Sequence, residues 1–145
     1  MDSALDTLLQ KSEATAALLI DKGGPLITQR GNAAGFDTTT MAALAAGSFA
    51  ANEAIAGLVG ESNFTSIYQQ GEHHSLLVGN VGGNVLLVVI FKAATSVGVV
   101  KFYAASTVQI VSGQLEKARA RTPDTSMDLV SLNLSNTAEL FRKKA

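Results

Sequence analysis

The chain alternates between compact apolar runs and longer segments in which apolar residues recur every three or four positions. Near the start, Leu5, Leu8 and Leu9 recur at helical spacing, which predicts an amphipathic helix over residues 3–15. The run TAALLID then ends at Asp21, and the run PLITQRG follows it. Because the glycines of the intervening DKGG accept positive φ angles, we expect a β-hairpin here.

The rest of the chain adds two long helices and three strands. Asp37 suits a helix N-cap and Gly60 suits a helix stop, so we expect a long helix between them. NFTSIYQQ, HSLLVGNV and VLLVVIFK are typical of strands, and the last has the apolar content of a buried central strand. A second long helix should span about residues 97–119. The order α-β-β-α-β-β-β-α predicts an α+β domain with a five-stranded antiparallel sheet and helices on both of its faces.

Side chains should alternate along the third strand, since successive residues of a strand point to opposite faces. The alternation predicts Phe64, Ser66 and Tyr68 on one face and Thr65, Ile67 and Gln69 on the other.

The first long helix carries almost no charge, because Glu53 is the only charged residue from Thr38 to Gly60. Rotation by roughly 100° per residue separates two faces. The expected core face consists of Met41, Leu44, Ser48, Ala51, Ile55, Leu58 and Val59. The opposite side carries what we call the small-residue stripe, which consists of Ala43, Gly47, Ala50, Ala54 and Gly57.

Two glycines in this stripe indicate that close approach is favoured over helix propensity, because a helical glycine costs roughly 0.5–1 kcal/mol relative to alanine. Either a second helix of the same chain or another chain could cover the stripe. The other long helix is expected on the opposite face of the sheet, so we favour another chain, since exposed apolar patches mark partner sites.

Composition supports a protein that hides apolar surface. The chain has 145 residues, which suggests one domain, and it is 47% hydrophobic and only 16% charged. Apolar runs such as VLLVVIF are shorter than the roughly 20 residues that span a bilayer, so we expect no membrane insertion. A net charge of −1 without a basic stripe argues against nucleic-acid binding. The mixed, acidic start MDSALDTLLQKSEA differs from a signal peptide and cysteine is absent, so we expect a cytoplasmic protein.

The sequence shows no catalytic set. His73 and His74 are adjacent and would point to opposite faces of a strand, and no other histidine or cysteine could complete a zinc site. GNVGGN lacks the Lys-Ser/Thr of a phosphate loop and precedes a strand, so it predicts a hairpin turn. Arg30 at a hairpin end is expected to be a solvated charge. The sequence therefore predicts a binding protein with no catalytic, cofactor or metal site of its own.

Three stretches resemble the Roadblock/LC7 family, and within it the bacterial MglB-type proteins. They are LLIDKGGPLITQRG, AALAAGSFAANEAIAGLVGE and LLVGNVGGNVLLVVIFKAATSVGVVKFYA, and the resemblance covers residues 3–120. It implies a profilin-like layout with one helix on one face of the sheet and two on the other. It also implies a homodimer in which the sheets join edge to edge and the two long central helices lie side by side. Such a helix pair would bind a Ras-like small GTPase of the MglA type and stimulate GTP hydrolysis without an arginine finger, in the control of cell polarity and motility.

Carried over by position, the small-residue stripe would line the GTPase-facing or helix-pairing surface. Residues 64–70, with Phe64, Ser66 and Tyr68, would pair across the dimer. Two alternatives stay open: a dimeric scaffold of a GTPase or motility complex that does not accelerate hydrolysis, and a small-molecule sensor that uses the sheet–helix crevice. We expect residues 1–121 to form the domain and residues 122–145 to form a tail, either a frayed terminus or a short docking helix.

Overall fold

The computed structural model describes residues 1–121, which form three helices and five strands. In chain order they are α1 (Asp2–Ser12), β1 (Ala16–Asp21), β2 (Leu26–Gly31), α2 (Thr38–Leu58), β3 (Ser66–Gln69), β4 (His74–Gly82), β5 (Val85–Lys92) and α3 (Val97–Arg121). The predicted order α-β-β-α-β-β-β-α is confirmed. The predicted tail, residues 122–145, lies outside the described residues.

The five strands form one antiparallel sheet in the order β2-β1-β5-β4-β3. Two predicted hairpins, β1–β2 and β4–β5, are confirmed. In the first turn, the backbone N–H of Gly23 donates a hydrogen bond to Asp21 Oδ2 over 2.7 Å, and Gly24 adopts a φ of +122°. Residues other than glycine rarely adopt that backbone conformation, which explains the second glycine of DKGG.

The sheet separates two hydrophobic layers. β5 lies at its centre, and its side chains alternate between the layers, so the strand is buried on both faces. Leu86, Val88 and Ile90 pack on the α2 side, whereas the other face packs against α1 and α3. One helix therefore covers one face and two helices cover the other, as the resemblance implied.

The two ends of α2 follow the sequence signals. The backbone N–H of Thr40 donates to Asp37 Oδ1 over 3.1 Å, and the Thr40 hydroxyl donates to Asp37 Oδ2 over 2.7 Å. These bonds satisfy a free donor of the first turn and lower the pKa of the Asp37 carboxyl. Beyond Leu58, Gly60 has a φ of +86°, which ends the helix.

The predicted alternation in the third strand is wrong for Phe64. β3 begins only at Ser66, so Phe64 lies before the strand and is free of its alternation. Its ring packs 5.0 Å from the ring of Phe49, on the α2 side of the sheet. Tyr68 stacks on Phe91 at 6.2 Å, on the side of α1 and α3.

The predicted core face of α2 is also wrong. The buried residues of the helix are Ala42, Ala45, Ala46 and Phe49. Leu44, Ile55 and Leu58 are instead 68%, 56% and 86% exposed, Ser48, Ala51 and Val59 are exposed, and Met41 is half-buried. The physical reason is that three alanines let the helix approach the sheet closely while a single phenylalanine fills the space between them.

Candidate functional site

The outer surface of α2 is apolar and open to solvent. Every member of the small-residue stripe is exposed, as predicted. A Cβ atom added to Gly47 or Gly57 would meet nothing within 4 Å, so the fold of residues 1–121 itself does not require glycine at either position. Their absence of side chains leaves a smooth surface on the helix.

A second set of exposed residues lies beside the stripe on the same helix. We call Leu44, Ile55 and Leu58 the bulky stripe. The helical pattern alone did not indicate this stripe, because it predicted these three residues in the core. The position of Phe49 was the signal that could have found it, since placing this largest side chain inward turns the bulky stripe outward.

The two stripes face different neighbours. Leu44, together with Met41 and Ser48, lines one wall of an apolar groove whose other wall includes Ile67 of β3 and Leu76 of β4. The groove has a volume of about 410 Å³. The bulky stripe therefore begins next to the edge of the sheet that β3 forms.

The small-residue stripe begins on a different side of α2 from the groove. A Cβ atom built on Gly24 would lie 3.7 Å from Cα of Ala43, so this end of the stripe borders the β1–β2 turn. The stripe points outward from there and away from β3.

An ion pair holds the one charged side chain of α2 towards the β1–β2 turn. Glu53, the only charged residue of the helix, lies 3.4 Å from Lys22 Nζ in the β1–β2 turn. The same ammonium lies 5.6 Å from the centre of the Phe49 ring. Glu53 is therefore held towards the turn, and the surface formed by the two stripes contains no charged side chain.

The β3 edge is flanked by a groove on each face of the sheet. On the face of α1 and α3, a groove of about 440 Å³ runs between Ser66, Leu77 and Val89 on the sheet and Lys101 and Val108 on α3. Tyr68 lies on this face and is 38% exposed. Of the predicted dimer-strand residues, β3 thus brings Ser66 and Tyr68 together, and Phe64 is separated from them.

Both grooves fall within the volume range of small-molecule pockets, which the sensor hypothesis requires. Both nevertheless run along β3, an edge strand of only four residues. No other strand among residues 1–121 pairs with its outer side. A docking protein chain could fill the grooves and continue the sheet at once.

The remaining candidate residues do not form a reactive site. His73 is exposed, and its Nε2 lies 3.9 Å from Oε1 of Glu72. His74 packs edge-on against Phe36, with 5.5 Å between the ring centres. Among residues 1–121, no group of three or more His, Cys, Asp or Glu side chains could hold a metal ion. Arg30 is paired rather than simply solvated, since its guanidinium donates two hydrogen bonds to Asp6, at 2.9 and 3.0 Å.

α2 is also the one helix in the described part of the chain that is long and apolar enough to cross a membrane, judged by length and composition alone. The short apolar runs that argued against a membrane span lie elsewhere in the chain, so they did not indicate this helix. The feature is weak evidence for a membrane span, because core helices of soluble proteins have the same composition. Here the inner side of α2 packs against the sheet through Ala42, Ala46 and Phe49.

Comparison with known families agrees with this architecture. A Roadblock/LC7 domain model matches residues 2–91, from α1 to β5. The chain belongs to the Roadblock/LC7 domain family. A comparison with curated proteins gave no match.

Solved structures place the Roadblock/LC7 chain near proteins named MglB. MglB of Myxococcus xanthus is 35% identical, with a TM-score of 0.76 over 79% of this chain and 94% of that one. The gliding protein MglB of Thermus thermophilus is 31% identical, with a TM-score of 0.71 over 77% and 84% of the two chains. Profilin IB of Acanthamoeba castellanii, at 19% identity and a TM-score of 0.56 over 77% and 96%, shares the fold alone.

Proposed function

We propose that this Roadblock/LC7 protein is a cytoplasmic homodimer that binds a Ras-like small GTPase of the MglA type and stimulates its GTP hydrolysis. The observation that carries the proposal is the exposed, uncharged outer surface of α2. A monomer that left such a surface in water would be prone to aggregation, so partner chains are the natural cover. The similarity to MglB proteins supports the choice of a GTPase as partner.

The two edges of the sheet differ in a way that favours β3 for dimer formation. β2 carries Gln29 and Arg30, and the Arg30–Asp6 ion pair joins this edge to α1. Charged residues on an edge strand discourage pairing with another chain. The β3 edge is instead bordered by the two apolar grooves, and the bulky stripe lies above one of them.

Edge-to-edge pairing at β3 would bring the bulky stripes of two α2 helices towards each other. Leu44 and its neighbours would enter the 410 Å³ groove region, where burial of a leucine side chain contributes about 1.5–3 kcal/mol. The small-residue stripes, which lie roughly 100° further round each helix, would stay accessible. We therefore assign the bulky stripe to the dimer contact and the small-residue stripe to the GTPase.

The protein would stimulate hydrolysis by shaping the GTPase's own active site. The two arginines whose side chains the structure describes are Arg30, paired with Asp6, and Arg119, which contacts Gly83 of the β4–β5 turn. Both lie away from the α2 surface. A regulator that docks through alanine and glycine would act by ordering the partner's catalytic loops, since ordering of switch segments governs GTPase activity.

The test is single-turnover GTP hydrolysis by an MglA-type GTPase, measured with and without this protein, together with a binding assay. We expect binding and faster hydrolysis. Ala50→Arg should abolish both, because it forces a bulky charge into a desolvated contact between small residues. Ala120→Arg, the same change at an exposed position of α3, should leave both intact.

The alternatives predict different results. Binding without faster hydrolysis would support the scaffold hypothesis, and no binding would contradict the proposal as a whole. Normal binding by Ala50→Arg would show that the small-residue stripe is not the GTPase-binding surface.

A further inference from the structure

A third groove lies on the far side of the sheet from α2, between α1 and α3. Its volume is about 330 Å³. Ala4 and Leu8 of α1 and Thr107 of α3 are buried along it, whereas Ile110 lines it and is 50% exposed. None of the proposed dimer or GTPase contacts uses this groove, so neither of them would bury its apolar surface.

The chain itself supplies a candidate cover next to the groove. α3 forms one wall, from Tyr103 to Gln114, and the described structure ends at Arg121, about two helical turns beyond Gln114. Residues 122–145 continue from that point. Their first residues include Pro123 and Asp124, which favour a turn, because proline cannot continue a helix and presets φ for a turn.

We propose that the C-terminal segment, residues 122–145, folds back along α3 and covers the α1–α3 groove of its own chain. This segment has 24 residues. At roughly 3.3 Å per residue an extended segment of that length reaches about 80 Å, whereas the groove wall on α3 is only about 17 Å long. Even a fully helical segment, about 36 Å long, would reach past the groove.

The composition of the segment suits an apolar groove with a polar rim. Its apolar residues are concentrated just after the turn, at Leu129, Val130, Leu132 and Leu134. Covalent attachment holds them near the groove at an effective concentration of about millimolar, so a weak contact is enough for docking.

The charges at the start of the segment are complementary to those beside the groove, whereas its basic residues, Arg142, Lys143 and Lys144, lie at its far end. Asp124 and Asp128 precede the apolar residues of the segment. Lys11 lines the groove on α1, and Lys117 is exposed on α3 between the groove and Arg121. A segment that turns back over the end of α3 would bring its carboxylates near these ammonium groups, and that attraction weakens with salt.

The test uses the full-length chain with a spin label on a single cysteine. The chain contains no cysteine, so Asn133→Cys gives one labelled position in the C-terminal segment. We expect the nitroxide to broaden the backbone amide signals of Thr7, Ser106 and Ile110 and to leave those of Ala43 and Ala50 sharp. The proposal would be overturned if the amide signals of the groove residues had the same intensity with the nitroxide oxidised and reduced.

Two substitutions identify the docking surface. Ile110→Asp, at a half-exposed position that tolerates a charge, should restore sharp signals for Thr7 and Ser106. Val99→Asp is the matched control, because Val99 is similarly exposed, at 43%, on the same helix but does not line the groove. It should leave the broadening unchanged, and unchanged broadening in Ile110→Asp would contradict docking in this groove.

A mixed sample separates docking within one chain from docking between chains. Spin-labelled chain without ¹⁵N is mixed with ¹⁵N-labelled chain without a spin label. We expect sharp groove signals in the mixture. Broadening there would mean that the segment covers the groove of a second copy, which overturns the proposal for its own chain.

Discussion

At the residue scale, Phe49 fixes the orientation of α2. It is fully buried, its ring centre lies 5.0 Å from that of Phe64, and its ring lies under the ammonium of Lys22. The other fully buried residues of the helix are alanines and Met41 is only half-buried, so Phe49 is the largest side chain that α2 buries against the sheet. Turning this one side chain inward leaves Leu44, Ile55 and Leu58 on the outside.

The first prediction concerns this side chain. Phe49→Ala should lower the free energy of unfolding by about 3–5 kcal/mol, because it removes a buried ring and leaves a cavity that three alanines cannot fill. The measurement is urea denaturation at fixed protein concentration, since dimer formation would add to the apparent stability. Phe102→Ala, at a phenylalanine that is 67% exposed, is the control and should change the free energy of unfolding by less than about 0.5 kcal/mol. Equal losses in the two variants would contradict the assigned orientation.

At the scale of elements, α1 is joined to the edge strand β2 by side-chain contacts. Arg30 forms its two hydrogen bonds with Asp6, and Thr28 donates to Asp2 Oδ1 over 2.9 Å. The hydrogen bonds from Arg30 hold the pKa of the Asp6 carboxyl below its ordinary value of 3.8. The pair joins α1 to the β2 edge and places charged groups there.

The sign of the resulting pH dependence follows from that lowered pKa. A carboxyl whose pKa is lower in the folded state stabilises the protein above its unfolded-state pKa, and this contribution is lost as the pH falls through the folded-state pKa. We therefore expect the urea midpoint of the wild type to fall more steeply below about pH 4 than that of Asp6→Asn. The pair is solvent-exposed, so the difference should shrink in high salt.

Arg30→Gln provides the control for this pair. It should flatten the acid dependence as Asp6→Asn does, and the double variant should add nothing further, because each single change already removes the interaction. Additive effects of the two changes would show that Asp6 and Arg30 act independently.

At the scale of the whole molecule, the arrangement of the layers divides the surface into separate regions. α2 alone covers one face of the sheet, so its outer side and the β3 edge are contiguous. The β2 edge lies at the other end of the sheet with its charged residues. The proposed dimer contact and the proposed GTPase contact can therefore coexist on one helix without overlapping.

The prediction at this scale is that Leu44→Asp makes the protein monomeric, because it places a carboxylate at the proposed apolar dimer contact. The measurement is light scattering coupled to size-exclusion chromatography. Ile110→Asp, which changes an exposed residue on the opposite face, should remain dimeric. A dimeric Leu44→Asp variant would contradict the assignment of the bulky stripe.

The sequence by itself determined the elements of this Roadblock/LC7 domain and their order. Strand alternation, the Asp37 cap and the glycine turns are local signals, and the structure follows them at β1, β2, β4, β5 and both ends of α2. The exposure of the small-residue stripe was also predictable. The failure of the alternation at Phe64 has a local cause, since the strand starts two residues later than the pattern indicates.

Only the tertiary structure decided which side of α2 faces the sheet. The helix is apolar around most of its circumference, so periodicity offered two possible inner faces with little difference between them. Bulk suggested Leu44, Ile55 and Leu58 as the inner face, but close packing on the sheet is satisfied by alanines around one phenylalanine. That choice depends on the distance between helix and sheet, which no local pattern encodes, and it places large apolar side chains beside the β3 edge.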